Sequence, residues 1–234
     1  MTHSFDKNYW DEIWHGDRAA AMAAGDPNPH LVREVADLTP GAALEAGCGA
    51  GTEAIWLASR GWQVTAADIA AQALARGAER AGAAGVAERI EWVEADLSTW
   101  EPEARFDLVT TQYAHPSIPQ LEFYDRIAGW VAPGGTLLIV GHLGDHASDG
   151  GHRHGNSHGH GDSHGHGDSH GHGHGHEDGG PPASASVTAA DITSRLDPAV
   201  WEVETTEESQ RTMAGPGGRE VTIDDAVVRA TRRS

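Results

Sequence analysis

The stretch from Ala42 to Asp68, AALEAGCGAGTEAIWLASRGWQVTAAD, constrains the fold more than any other part of the chain. A short apolar run, AALEA at 42 to 46, leads into a glycine-rich turn, a helical segment from Thr52 to Arg60 and a second apolar run, WQVTAA at 62 to 67. Two short strands joined by a helix run parallel, because a crossover of that length returns the chain to the same end of the sheet. The glycines of Glu45-Ala46-Gly47-Cys48-Gly49-Ala50-Gly51-Thr52 allow a tight turn and let a ligand approach backbone N–H groups. Asp68 follows Gly47 by 21 residues, the separation at which a carboxylate hydrogen-bonds ribose hydroxyls in doubly wound sheets. Strand, glycine loop, helix and strand-end acid together imply a nucleotide-bearing ligand. Asp68 would also serve as the N-cap of a helix expected to run from Ile69 to about Ala81.

The alternation continues downstream. Asn28-Pro29 reads as N-cap and first helical residue, with Leu31, Val32, Val35 and Leu38 at helical spacing until Thr39-Pro40-Gly41. IEWVEA at 90 to 95 and FDLVTTQ at 106 to 112 read as strands. Leu121, Tyr124, Ile127 and Val131 share a helical face before Pro133-Gly134-Gly135 and the apolar run TLLIV. Thr188 and Asp191 form a capping-box pattern for a short helix. WEVETTEE and REVTIDDAVVRATR, joined by Gly215-Pro216-Gly217-Gly218, read as a hairpin that ends the sheet with one antiparallel strand. The expected fold class is α/β, a doubly wound and mostly parallel sheet.

Composition breaks after residue 142, where His, Gly, Asp and Ser take over and the unit SHGHGD repeats from Ser157. Glycine carries a high ordering entropy, and such a tract has almost no apolar area to offset it, so residues 145–180 read as a flexible insert in a single domain of residues 1–144 and 181–234. The insert holds His152, His154, His158, His160, His164, His166, His170, His172, His174 and His176. Neutral imidazoles spaced by one glycine suit Ni²⁺, Zn²⁺, Co²⁺ or Cu²⁺. Their spacing matches neither a closed zinc site nor a catalytic H-E-x-x-H helix.

Sixteen Lys and Arg against 35 Asp and Glu give a net charge of −19, which disfavours nucleic acid and anionic membranes as partners. The single cysteine, Cys48, has no disulfide partner in the chain. The opening MTHSFDKNYWDEIW has neither a basic nor an apolar signal region, so a cytoplasmic protein is expected. The longest strongly apolar run, Leu137 to Val140, is too short to span a bilayer.

The order G-x-G-x-G with an acid two residues ahead differs from the dinucleotide fingerprint, since Thr52 occupies the place of its third glycine. ALEAGCGAGTEAIWLASRGWQVTAADIA resembles the first motif and strand-end acid of class I S-adenosylmethionine-dependent methyltransferases. EADLSTW, FDLVTTQYAH and APGGTLLIV are similar to that family's third-strand, fourth-strand and fifth-strand segments. The resemblance implies a seven-stranded sheet with S-adenosylmethionine as cofactor. Gly47, Gly49 and Gly51, with Cys48 between them for fit, would lie close to its methionine portion, and Glu45 would hold the ammonium directly or through water. Asp68, with Ile69 beside it, would take the ribose diol; Asp96 and the Leu97 N–H would meet the adenine. Gln112 and Trp14 complete the implied cofactor set.

Methyl transfer from a sulfonium needs alignment, desolvation and, for a weak nucleophile, removal of a proton. Tyr113 and His115, at the end of the fourth strand, are the candidate catalytic residues. A Tyr113 packed on the adenosine and a His115 that only begins a loop are the alternatives. Trp10 and Trp14, four residues apart, are expected on one helical face, either covering the cofactor or anchoring the segment. These N-terminal aromatics and Asp26-Pro27-Asn28-Pro29 resemble the thiopurine and tellurite-resistance branch of small-molecule methyltransferases. A small soluble methyl acceptor is the expected substrate. An NAD(P)-dependent oxidoreductase and a metal-sequestering protein on a Rossmann scaffold are the alternatives, and Lys7, the only lysine, leaves the former without a Tyr-Lys hydride-transfer pair in the sheet.

Overall fold

A computed structural model describes residues 5–14, 25–144, 185–214 and 220–234. The ten insert histidines and the Gly215–Gly218 turn lie outside the described residues. The elements in chain order are α1 (Lys7–Ile13), α2 (Pro29–Glu34), β1 (Ala42–Ala46), α3 (Thr52–Ser59), β2 (Gln63–Asp68), α4 (Ala71–Ala83), β3 (Ile90–Glu94), β4 (Phe106–Gln112), α5 (Gln120–Ala128), β5 (Val131–Leu143), β6 (Ser186–Val187), α6 (Ala189–Ser194), β7 (Trp201–Ala214) and β8 (Glu220–Arg232).

The main sheet runs β3-β2-β1-β4-β5-β8-β7, with the two-residue β6 also paired to β5. β1 to β5 are mutually parallel, and β8 is antiparallel to both β5 and β7. Alternation along each central strand feeds two cores. Leu44, Val109, Leu137 and Ile139 face Phe123, Ile127 and Ile192 of α5 and α6. Ala43, Leu108, Leu138 and Val140 face Leu31, Leu57 and Leu74 of α2, α3 and α4. Strands covered on both faces read as continuous apolar runs, which is the character of TLLIV. Each fully buried Leu, Ile or Phe side chain contributes roughly 1.5–3 kcal/mol.

Several local expectations are corrected. The C-terminal hairpin supplies the antiparallel strand as expected, but that strand, β8, inserts between β5 and β7 instead of lying at the edge. Its Ala226-Val227-Val228 run is fully buried and needs cover on both faces, whereas WEVETTEE of β7 carries a charge at every second or third position and suits an edge. Val131 is not on the helix before it but opens β5 opposite Phe106, because α5 stops at Gly129. The Pro133-Gly134-Gly135 segment then shifts the register between Phe106 and Leu108. The second helix ends at Glu34 rather than near Leu38. α4 begins at Ala71, not Ile69, since Asp68 Oδ1 holds the Ala70 N–H at 2.9 Å and Ala70 is still extended.

The parallel register brings the carboxyl ends of β1, β2 and β4 to one edge, with Ala46 beside Ala67 and Asp68 beside Glu94. In open α/β sheets that edge, where the strand order reverses about β1 and β4, is where ligands bind.

Candidate functional site

A cavity of about 450 Å³ opens at this edge. Its floor is the glycine loop, and the three glycines adopt left-handed backbone, with φ of +82° at Gly47, +50° at Gly49 and +71° at Gly51. A Cβ on Gly47 would lie 2.3 Å from the Ala114 Cβ, and one on Gly49 2.9 Å from Trp14 Cζ2. One on Gly51 would lie 2.3 Å from Trp92 Cη2. The need for glycine is therefore steric. The expected offer of backbone donors is not made at three positions: the N–H groups of Gly47 and Cys48 donate to Ala67 O, and that of Gly49 to Asp68 Oδ2.

Asp68 thus ties the loop to the end of β2, each carboxylate oxygen accepting one backbone N–H and keeping a second lone pair for a ligand hydroxyl. Burial raises its pKa above the usual carboxylate value. Ile69, Ala95, Asp96 and Leu97 line the same end of the cavity. The turn that carries Asp96 is fixed by the Ser98 N–H on Asp96 Oδ1 and by Arg126 Nε on Leu97 O.

Cys48 also lines the cavity, and burial holds its thiol well above its ordinary pKa, which fits a packing role and leaves no nucleophile. Glu45 and Gly51 are not among the lining residues. Glu45 is buried, desolvation followed by the charge of Glu53 pushes its carboxyl well above the usual range, and its Oε2 finds no partner among the described residues. Gln112 lines the cavity, donates through Nε2 to Thr110 Oγ1 and leaves Oε1 without a partner among the same residues. Both oxygens lie on neighbouring strands, and that of Gln112 is the one presented at the cavity, where it could accept from a ligand.

Helix α1 straps the cleft. Asp6 caps it at the Tyr9 N–H. Lys7 reaches Ile69 O at 3.1 Å and Glu94 at 2.8 Å on one side, and Trp10 Nε1 donates to His115 O at 3.3 Å on the other. Trp10 and Trp14 both line the cavity and pack together.

Beyond the glycine loop the lining changes to Asn28, Glu53, Tyr113, His115 and Arg211, with Phe5 and Ile223. Tyr113 is the only non-glycine residue with positive φ (+53°) among the described residues, a conformation that costs about 1–2 kcal/mol for an ordinary side chain. Its hydroxyl is held by Asp225 Oδ1 at 2.6 Å, Arg211 Nη2 at 2.9 Å and Asn28 Nδ2 at 3.4 Å. Burial leads the shift of this phenol to about 12, so Tyr113 stays protonated. His115 stacks on Trp10 and His142. Gln120 Nε2 donates to Ala114 O, which turns its Oε1 toward His115 Nδ1 at 3.4 Å and makes that nitrogen the protonated one. Burial lowers the His115 pKa from 6.5, which favours the neutral ring with Nε2 unprotonated.

Asn28 was expected only as a cap; Glu53, His30, His142, Arg211 and Asp225 were not singled out at all. The signal for Asp225 was an acid abutting the buried run AVV, and for Arg211 a cation in a strand otherwise rich in Glu. Among the described residues no group of three His, Cys, Asp or Glu could hold a metal, and no helix is long and apolar enough to cross a membrane.

Residues 43–135 match the family model of a methyltransferase domain. Probable thiol methyltransferase 2 of Arabidopsis thaliana is 30% identical over 148 residues, 60% of this chain and 64% of that protein. Thiocyanate methyltransferase 1 of the same plant is 34% identical over 103 residues, 43% of this chain and 44% of that one. The chain therefore spans less than two thirds of the length of these relatives. The fold is similar to that of 1,6-didemethyltoxoflavin-N1-methyltransferase from Burkholderia thailandensis, solved with S-adenosylhomocysteine, at a TM-score of 0.61 and 19% identity over 97% of this chain and 87% of that one. The matched residues carry the glycine loop, Asp68 and Asp96 on the sheet order described above, and this part of the chain resembles the class I S-adenosylmethionine-dependent methyltransferases.

Proposed function

We propose that this protein transfers a methyl group from S-adenosylmethionine to a small soluble acceptor by in-line displacement, with a thiol sulfur as the nucleophile. The observation that carries the reading is the division of the cavity: a cofactor half bounded by Gly47, Asp68 and Asp96, and a small remaining half bounded by Tyr113, His115 and Arg211. A nucleoside with an amino-acid tail fills most of about 450 Å³, which leaves room for an acceptor of few atoms. The similarity to thiol and thiocyanate methyltransferases supports sulfur.

The cofactor, when bound, supplies an activated methyl group on a sulfonium. Asp68 takes the ribose hydroxyls, Asp96 and the Leu97 N–H the adenine, and Gln112 the ammonium, with Glu45 buried behind the lining and Ile69, Cys48, Gly49 and Trp14 shaping the walls. Trp10 and Phe5 exclude water from the acceptor half. His115 Nε2 removes the acceptor's proton and Tyr113 positions the acceptor with its ring. Calorimetry with S-adenosylmethionine, S-adenosylhomocysteine, NAD and NADP tests the cofactor: micromolar binding of the first two is expected, and tighter binding of either dinucleotide would return the site to the oxidoreductases.

His115→Ala is expected to lower kcat about 10²-fold or more on a neutral thiol with cofactor affinity nearly unchanged. Because the His115 pKa is lowered, the base is present above about 6.5 and lost as pH falls through the lowered value. The acid limb of the kcat profile should thus lie below pH 6.5 and vanish in the variant. An unaltered profile would make His115 a loop residue.

The histidine tract is read as a non-catalytic Ni²⁺, Zn²⁺ or Co²⁺ site appended to a single domain, in a protein we place in the cytoplasm. Its support is the repeat of imidazoles itself. Equilibrium dialysis of Ni²⁺ against the protein with and without residues 145–180 checks it, and equal uptake would remove the metal from the reading.

A further inference from the structure

Arg211 is the single Lys or Arg among the described residues lining the cavity, and it sits in the acceptor half. Its guanidinium is fixed from two sides: Nε donates to Asp225 Oδ2 at 2.7 Å and Nη2 to the Tyr113 hydroxyl at 2.9 Å. The group also lies over the Tyr113 ring, 5.9 Å from its centroid. Nη1 makes no hydrogen bond among the described residues, and the Arg211 side chain is 24% exposed in the cavity wall. A planar fork pinned along one edge and open at the other is the arrangement that recognises a carboxylate or a small anion.

We propose that Arg211 selects an acceptor bearing a negative charge, with Asp225 and Tyr113 as its positioning residues. This rests on the methyltransferase reading above. A methyl donor that is itself a cation attracts an anionic acceptor and repels a cationic one, so the two positive groups act on the same substrate. Opposing them are Asp225, which pairs with Arg211, and Asp26 and Glu53 in the lining. Glu53 is held above the usual carboxylate range by burial, which weakens its share of the opposition. In the transfer, the acceptor's lone pair forms the new bond to carbon as the sulfur–methyl bond breaks, and that pair of electrons stays on the cofactor sulfur. A monoanionic nucleophile leaves as a neutral methylated product and needs no base. An acid that bears a thiol keeps its carboxylate on Arg211 and gives its thiol proton to His115.

The test compares thiocyanate, 3-mercaptopropionate and the neutral 3-mercaptopropanol on the full chain, as methyl acceptors and by calorimetric titration into the S-adenosylhomocysteine complex. Arg211→Lys keeps the charge, and the double variant R211Q/D225N removes it without stranding a buried carboxylate. The wild type should favour 3-mercaptopropionate over 3-mercaptopropanol by about 10-fold or more in kcat/KM and in binding, as one charge-assisted hydrogen bond allows. R211Q/D225N should bring that ratio close to unity, mainly through KM, with S-adenosylhomocysteine affinity unchanged, and Arg211→Lys should retain part of it. Transfer to thiocyanate alone places the charge on the nucleophile, and transfer to 3-mercaptopropionate alone places it on the anchor; either supports the proposal. Equal use of acid and alcohol by the wild type, or a preference that survives in R211Q/D225N, overturns it. If no acceptor is methylated the thiol reading fails, while preferential binding of an anion in the titration still decides the role of Arg211.

Discussion

Gly47→Val is expected to weaken S-adenosylmethionine binding at least 100-fold while the protein remains folded, because two separate penalties meet at this position. Its φ of +82° lies where a β-branched side chain is strained, and the first carbon added would sit 2.3 Å from the Ala114 Cβ. Ala114 lies between Tyr113 and His115 just past the end of β4, so relief of the clash moves either the loop away from Asp68 or the Tyr113–His115 segment away from the loop. The Gly49 N–H, held by Asp68 Oδ2 at 2.8 Å, is the first contact to suffer in the former case. Calorimetry with S-adenosylhomocysteine reads the loss, and thermal unfolding reads the stability. A loss of roughly 2–4 kcal/mol in stability is consistent with local strain plus overpacking. Gly82→Ala, on α4 with nothing within 4 Å of the added carbon, is the control and should bind the cofactor normally. Normal binding by Gly47→Val would show that the loop is not the methionine cradle.

The sequence and the structure agree most closely where short-range physics decides. AALEA and FDLVTTQ are β1 and β4 to the residue, since apolar runs bounded by Pro, Gly and acidic turns have no other low-energy reading. The Thr188–Asp191 capping box is present with both reciprocal bonds, and Asn28 caps α2 through the His30 N–H. What escaped the sequence depends on contacts between distant segments. The insertion of β8 between β5 and β7 pairs Gly141 with Ala226 across the whole insert, and nothing in either segment's periodicity states that register. The polar cluster beyond the glycine loop draws His30 from α2, Tyr113 from just past β4, Arg211 from β7 and Asp225 from β8. No spacing rule links residues brought together by sheet order. The glycine loop was legible as a tight turn after β1, but its use of Gly47, Cys48 and Gly49 N–H groups on Ala67 and Asp68 required coordinates.

That cluster carries the largest expected effect on stability. Asp225 is fully buried and holds three groups at once: His30 Nε2 at 3.0 Å, Arg211 Nε at 2.7 Å and the Tyr113 hydroxyl at 2.6 Å. Replacement by Ala strips all three of this acceptor and leaves Arg211 with the phenol as its hydrogen-bond partner among the described residues. Breaking a buried ion pair by removing one partner costs about 3–5 kcal/mol, and the partial exposure of Arg211 places Asp225→Ala toward the lower bound. Asp225→Asn keeps an acceptor for one donor and should lose less. R211Q/D225N should lose less than the two single changes added together, since the groups form one network. Urea unfolding of the four proteins measures each term, and a loss under about 1 kcal/mol for Asp225→Ala would show that the pair contributes little net stability. The same variant should also release Tyr113 from its left-handed backbone, because the hydroxyl contacts that oppose about 1–2 kcal/mol of strain pass mainly through Asp225 and the arginine it orients. If Arg211 binds the acceptor as proposed, stability and acceptor binding are coupled at one carboxylate: the residue that ties β8 to α2 and to Tyr113 is also the one that holds Arg211 at the cavity.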